Sequence, residues 1–144
     1  MLQITQNAFH KMTRDAQARL PNEGCGFLAG PGEVATTFYS IANTEQSPTR
    51  YLMDPKGQLE AIKKMRARGE KMLGIYHSHV VTAACPSFSD ISLANYPEAH
   101  YVIVSLAEGE EPIVRAFRIE RGKVREEPFA VISPSSTAAD SVIK

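Results

Sequence analysis

The chain has 144 residues, 43% of them hydrophobic and 22% charged, and its 16 Lys and Arg balance 16 Asp and Glu. A chain of this length buries roughly two-thirds of its unfolded surface, so one domain over residues 1–132 is expected, needing neither disulfide nor structural metal to hold its core. Balanced charge without a block of either sign excludes a nonspecific nucleic-acid binder, while no run near the ~20 apolar residues of a span and no signal-type N-terminus point to a cytoplasmic chain without a membrane partner.

From the N-terminus, Thr5 is placed to cap a helix whose apolar residues Ala8, Phe9, Met12, Ala16 and Leu20 recur every three to four positions, until Pro21 and Asn22 break it. Residues 25–30 form a short apolar run between glycines that reads as a buried strand. Pro31-Gly32 is its turn and 34–41 its hairpin partner. A polar loop over 43–49 leads to an extended 50–53. Asp54-Pro55 then opens a second helix over 55–68, which Gly69 ends.

Residues 72–79 read as a central strand carrying two histidines out at its C-terminal end. A short third helix is expected over 87–96, then strands over 101–106, 113–119 and 124–132 as an antiparallel meander. The last dozen residues, 133–144, hold Ser, Thr, Pro and Ala and are expected to be a disordered tail. His10 and His100 are read as surface residues, and Lys63, Lys64, Arg66, Arg68 and Lys71 as a solvated helix face.

The chemistry concentrates in Tyr76-His77-Ser78-His79 and the loop that follows it to Asp90. On a strand, residues i and i+2 share a face about 6.5 Å apart, so His77 and His79 converge while Ser78 points away. Asp90, in the first turn of the next helix, can supply a third ligand. Three protein ligands leave a fourth position open, the arrangement of a catalytic zinc, although the residue types alone leave Fe, Co or Mn open. Hydrolysis also needs a base. Glu23, directly before the Gly24-Cys25-Gly26 entry into a buried strand, is the candidate. Ser87 can offer a hydroxyl to an oxyanion, and as an N-cap it has a structural use that can coexist with catalysis.

Glu23-Gly24-Cys25-Gly26-Phe27-Leu28-Ala29-Gly30, then His77-Ser78-His79 and Pro86-Ser87-Phe88-Ser89-Asp90, resemble the motif of the JAMM (MPN+) metalloproteases. The resemblance covers residues 1–132 and implies an α/β (α+β) fold with a curved, mostly antiparallel sheet and about three helices. It implies one Zn2+ per chain held by His77, His79 and Asp90, with Glu23 as general base and then acid and Ser87 steadying the oxyanion. Many members have proline after the second histidine where this chain has Val80, which restores a backbone N–H. Cys85 brings a thiol close to the expected metal, where it could take the fourth position and inhibit the enzyme.

The short connections resemble those of the small bacterial members. They imply hydrolysis of the bond after the C-terminal Gly-Gly of a ubiquitin-like or sulfur-carrier β-grasp protein, with the oligomeric state, including a homodimer, left open. Two other classes stand beside this reading. One is a metal-free MPN scaffold, which the retained ligands disfavour. The other is a DNA-repair-associated branch, whose metal loop usually reads His-Asn-His-Pro, unlike Ser78 and Val80 here.

Overall fold

A computed structural model describes residues 1–133 and 142–143. A six-stranded sheet runs, edge to edge, through β4 (Thr37–Ile41), β2 (Cys25–Gly30), β5 (Lys71–His79), β6 (His100–Ser105), β7 (Ile113–Glu120) and β8 (Lys123–Glu127). Within this sheet, among the described residues, only the β5–β6 pair is parallel. A second sheet contains β10 (Val142–Ile143), β9 (Phe129–Ile132), β1 (Leu2–Thr5) and β3 (Val34–Ala35) in that order.

The six-stranded sheet is buried on both faces, because alternate side chains of its inner strands are apolar in both phases. Phe27, Ile75 and Ile103 point to one face, where they meet Ala61 and Met65 of α2 (Pro55–Ala67). Leu28, Tyr76 and Val102 point to the other, against Leu2, Ile4 and Met12 of β1 and α1 (Gln6–Ala18). Both long helices start where capping chemistry puts them: Thr5 Oγ1 accepts from Ala8 N at 3.3 Å and Asp54 Oδ2 from Gly57 N at 3.2 Å. Gly69, at φ +65°, ends the second.

The structure departs from the expected elements where proline or a strand branch intervenes. The expected strand over 124–132 divides at Pro128, which has no N–H for the ladder, and its second half crosses to pair parallel with β1. The expected strand over 34–41 divides at Thr36, so that Val34 and Ala35 join β1 while 37–41 form the hairpin with β2. The third helix, α3 (Phe88–Ser92), is shorter than 87–96. It ends at the C-cap Leu93, at φ −96° and ψ 3°, and Tyr96 N donates to Tyr101 Oη at 2.9 Å. His100 is buried, not on the surface, and lies beside Arg118 and Glu127. Within the segment expected to be a tail, Val142 and Ile143 pair antiparallel with β9; residues 134–141 and 144 lie outside the described residues. No helix among the described residues is long and apolar enough to cross a membrane.

Candidate active site

β5 lies between β2 and β6, and its C-terminal end carries the two histidines onto the face covered by α2. His77 and His79 are both buried, and their Nε2 atoms stand 3.1 Å apart. Asp90 Oδ2 lies 3.1 Å from His77 Nε2 and 3.0 Å from His79 Nε2. Asp90 arrives there through local helix chemistry. Ser87 N donates to Asp90 Oδ2 at 2.8 Å and Asp90 N donates to Ser87 Oγ at 3.1 Å, a capping box that fixes the first turn of α3.

The donor set fits a metal ion. His79 Nδ1 faces Ala83 O at 2.7 Å and can only donate there, so the neutral ring turns its Nε2 lone pair to the cluster, while the protonated ring of the metal-free protein donates from Nε2 to Asp90 Oδ2. Three ligand atoms 3.0–3.1 Å apart are slightly inside the roughly 3.3 Å edge of a tetrahedron with zinc-type bonds of about 2.0 Å. Burial pulls the Asp90 pKa up, but hydrogen bonds from both histidines and from Ser87 N hold it far below the carboxylate range. Burial lowers His77, while His79, despite burial, is raised by Asp90 and the Ala83 carbonyl. The cluster is thus rich in negative charge and lone pairs at one point.

Glu23 is buried at the start of β2, and burial pushes its carboxyl up to about 7, against the favourable field of His79 and with that of Asp90. Its backbone is fully engaged. Glu23 N donates to Ser47 O at 2.8 Å, and Asn43 Nδ2 donates to Glu23 O at 3.0 Å. Gly24 N donates to Ser78 Oγ at 2.7 Å and Ser78 N donates to Gly24 O at 3.0 Å, so the residue between the histidines ties the Glu23 segment to β5. Gly24 has no room for a side chain: a Cβ there would stand 2.6 Å from Tyr76 Oη.

Ser87 is exposed and caps α3 as an acceptor, which leaves its hydroxyl proton available to another group. Cys85 is exposed too, but its thiol takes a hydrogen bond from Arg115 Nη1 at 3.6 Å and is not part of the His77, His79 and Asp90 group. The loop before it is pinned without proline at 80. Ser105 Oγ donates to Thr82 O at 2.7 Å and Ala84 N to Glu108 Oε2 at 3.3 Å. Asn43, Tyr51 and the anchoring use of Ser78 were not legible beforehand. Nothing in a polar loop marks which amide will turn inward.

The family model describing prokaryotic homologs of the JAB domain matches residues 5–120. The chain belongs to this family. Over 134 residues the JAB-domain chain is 38% identical to the CysO-cysteine peptidase of Mycobacterium tuberculosis, covering 92% of each. It is 39% identical over 104 residues to a probable TtuB-protein conjugate cleaving protease of Thermus thermophilus, covering 72% of this chain and 66% of that one. A solved structure from Desulfitobacterium hafniense superposes with a TM-score of 0.83 at 39% identity, covering 96% of both chains. The small prokaryotic JAMM/MPN resemblance drawn from the motif is borne out at the level of family, and so is the mixed α/β fold with its mostly antiparallel sheet.

Proposed function

We propose that this JAB-domain chain is a zinc metallopeptidase that hydrolyses the bond after the C-terminal glycine of a ubiquitin-like or sulfur-carrier protein. The observation that carries the reading is the convergence of His77 Nε2, His79 Nε2 and Asp90 Oδ2 to within 3.0–3.1 Å of one another, beside a buried carboxyl titrating near 7. The peptidase names of the two relatives support the substrate class, since one denotes a CysO-cysteine peptidase and the other a TtuB-conjugate protease.

Zinc held by His77, His79 and Asp90 would polarise the scissile carbonyl and make water nucleophilic at neutral pH. Glu23 takes the proton from the attacking water and returns it to the departing amine, a role suited to a group titrating near the working pH. Ser87 donates its hydroxyl to the carbonyl oxygen as that oxygen gains charge, a contact whose loss typically costs about 3 kcal/mol. The carrier's tail lies as an added extended strand beside the metal loop, and glycine at the cleavage point lets the backbone come close. One water is consumed, releasing a terminal Gly carboxylate and a free amine.

The test is mass spectrometry of zinc-loaded protein incubated with a β-grasp carrier bearing one amino acid beyond its Gly-Gly. The added residue should be removed and the Gly-Gly end restored. A carrier ending in Gly-Val before the added residue should turn over far more slowly, whereas substitutions on the carrier's distant surface should matter little. Equal cleavage of the Val carrier would remove the narrow groove, and no cleavage of any carrier adduct would remove the substrate class.

A further inference from the structure

Asn43 has all four hydrogen-bonding positions of its side-chain amide occupied, and it is only 8% exposed. Its Nδ2 donates to Glu23 O at 3.0 Å and to Arg50 O at 3.1 Å. Its Oδ1 accepts from Glu45 N at 3.0 Å and from Leu52 N at 2.9 Å. Arg50 and Leu52 flank Tyr51. The Tyr51 ring in turn stacks on the imidazole of His77, with centroids 4.5 Å apart and planes 18° from parallel.

His77 needs such support. A ligating histidine ordinarily has its second ring nitrogen held by a carboxylate, carbonyl or water, which sets the ring's rotation. His79 has this in Ala83 O, but His77 Nδ1 is buried and has no hydrogen-bond partner among the described residues. With Nδ1 unpartnered, ring stacking on Tyr51 adds to the Nε2 contact with Asp90 in limiting rotation of His77. Tyr51 can supply it only while its backbone is held in place, and Asn43 grips that backbone on both sides.

We infer that Asn43 is a positioning residue that joins the Glu23 segment and the His77 ring into one rigid unit, with Tyr51 as the intermediary. The inference rests on the metallopeptidase reading for its catalytic meaning, but not for its geometry. Glu23 is reached through its own carbonyl, and His77 through Arg50 O, Leu52 N and the Tyr51 ring. A single amide therefore links the segment of the base to the ring of one ligand, beside the Gly24–Ser78 tie to β5.

Asn43→Asp tests this, because the carboxylate keeps both acceptor bonds to Glu45 N and Leu52 N, loses the donors to Glu23 O and Arg50 O and turns a negative oxygen toward those two carbonyls, while the Tyr51 variants test the same link without added charge. The protein is stripped with chelator and titrated with Co2+ alone, reading the visible d–d spectrum and the affinity against a chromogenic chelator. Asn43→Asp and Tyr51→Leu should both shift the spectrum and weaken Co2+ about tenfold, in the range typical of lost support to a ligand, whereas Tyr51→Phe, which keeps the ring, should leave affinity within about twofold. On a cleavable carrier, Asn43→Asp should lower kcat about tenfold with KM within about twofold.

A folded Asn43→Asp protein with wild-type Co2+ spectrum and kcat, and only a lower Tm, would make the residue structural and overturn the inference. If that variant does not fold, the Tyr51 pair decides, and equal Co2+ affinity of Tyr51→Leu and Tyr51→Phe overturns it. Should wild-type protein cleave no carrier, the metallopeptidase reading fails by itself while the cobalt spectra still judge the geometry.

Discussion

Gly24 and Ser78 hold one another by two hydrogen bonds, Gly24 N to Ser78 Oγ at 2.7 Å and Ser78 N to Gly24 O at 3.0 Å, across the join between β2 and β5. The strand that presents the histidines thereby also locates the residue next to Glu23. Ser78 alternates with its neighbours, so its side chain faces away from the cluster while its position in sequence lies at its centre.

Ser78→Ala should therefore weaken both the fold and the chemistry. The buried Gly24 N–H loses its acceptor, which costs about 1–3 kcal/mol, and the Glu23 segment loses one of its ties to β5. Thermal unfolding should show a lower Tm, and carrier cleavage should fall about tenfold while zinc content stays the same. Unchanged turnover would mean that the remaining bonds, Ser78 N to Gly24 O, Glu23 N to Ser47 O and Asn43 Nδ2 to Glu23 O, suffice.

Glu23→Gln should keep zinc and lose most peptidase activity, because an amide preserves shape but cannot relay a proton. Its stability effect has a defined sign. The carboxyl titrates near 4.5 when unfolded and about 7 when folded, so the metal-free native state holds the extra proton and loses stability as pH rises between those values. Metal-free Glu23→Gln should accordingly be more stable than the parent at pH 8, by about 1–2 kcal/mol after allowing for solvent screening, and gain nothing at pH 4. Denaturant unfolding at the two pH values checks this; an equal difference at both would mean that the Glu23 charge is not the cause.

Protein purified without chelator should carry about one zinc per chain, and the His77→Ala, His79→Ala double variant should carry almost none, since two of three ligands are gone. Elemental analysis decides, and equal metal content would place the ion elsewhere.

Cys85→Ser should leave the metal spectrum unaltered. The thiol is engaged by Arg115, and the loop that would have to carry it inward is held by Ser105 and Glu108. Cobalt-loaded parent protein should show no sulfur-to-metal charge-transfer band; such a band, lost in Cys85→Ser, would restore the self-inhibiting arrangement that proximity in sequence suggests.

Local rules legible in the sequence set the periodicity of β5, the caps at Thr5, Asp54 and Ser87 and the shared face of His77 and His79, because each depends on residues within a turn or a strand's repeat. The motif spacing likewise carried the family. Tertiary structure decided everything that depends on a distant partner. It sent 129–132 to β1 when Pro128 could not continue the ladder, buried His100 against Glu127, and turned Cys85 toward Arg115. It also brought Glu23 to β5 through Ser78 and aimed Asn43 and Tyr51 at Glu23 and His77. A buried backbone N–H or carbonyl must find a partner, but the demand does not name which distant side chain meets it, and only the packed chain supplies that answer.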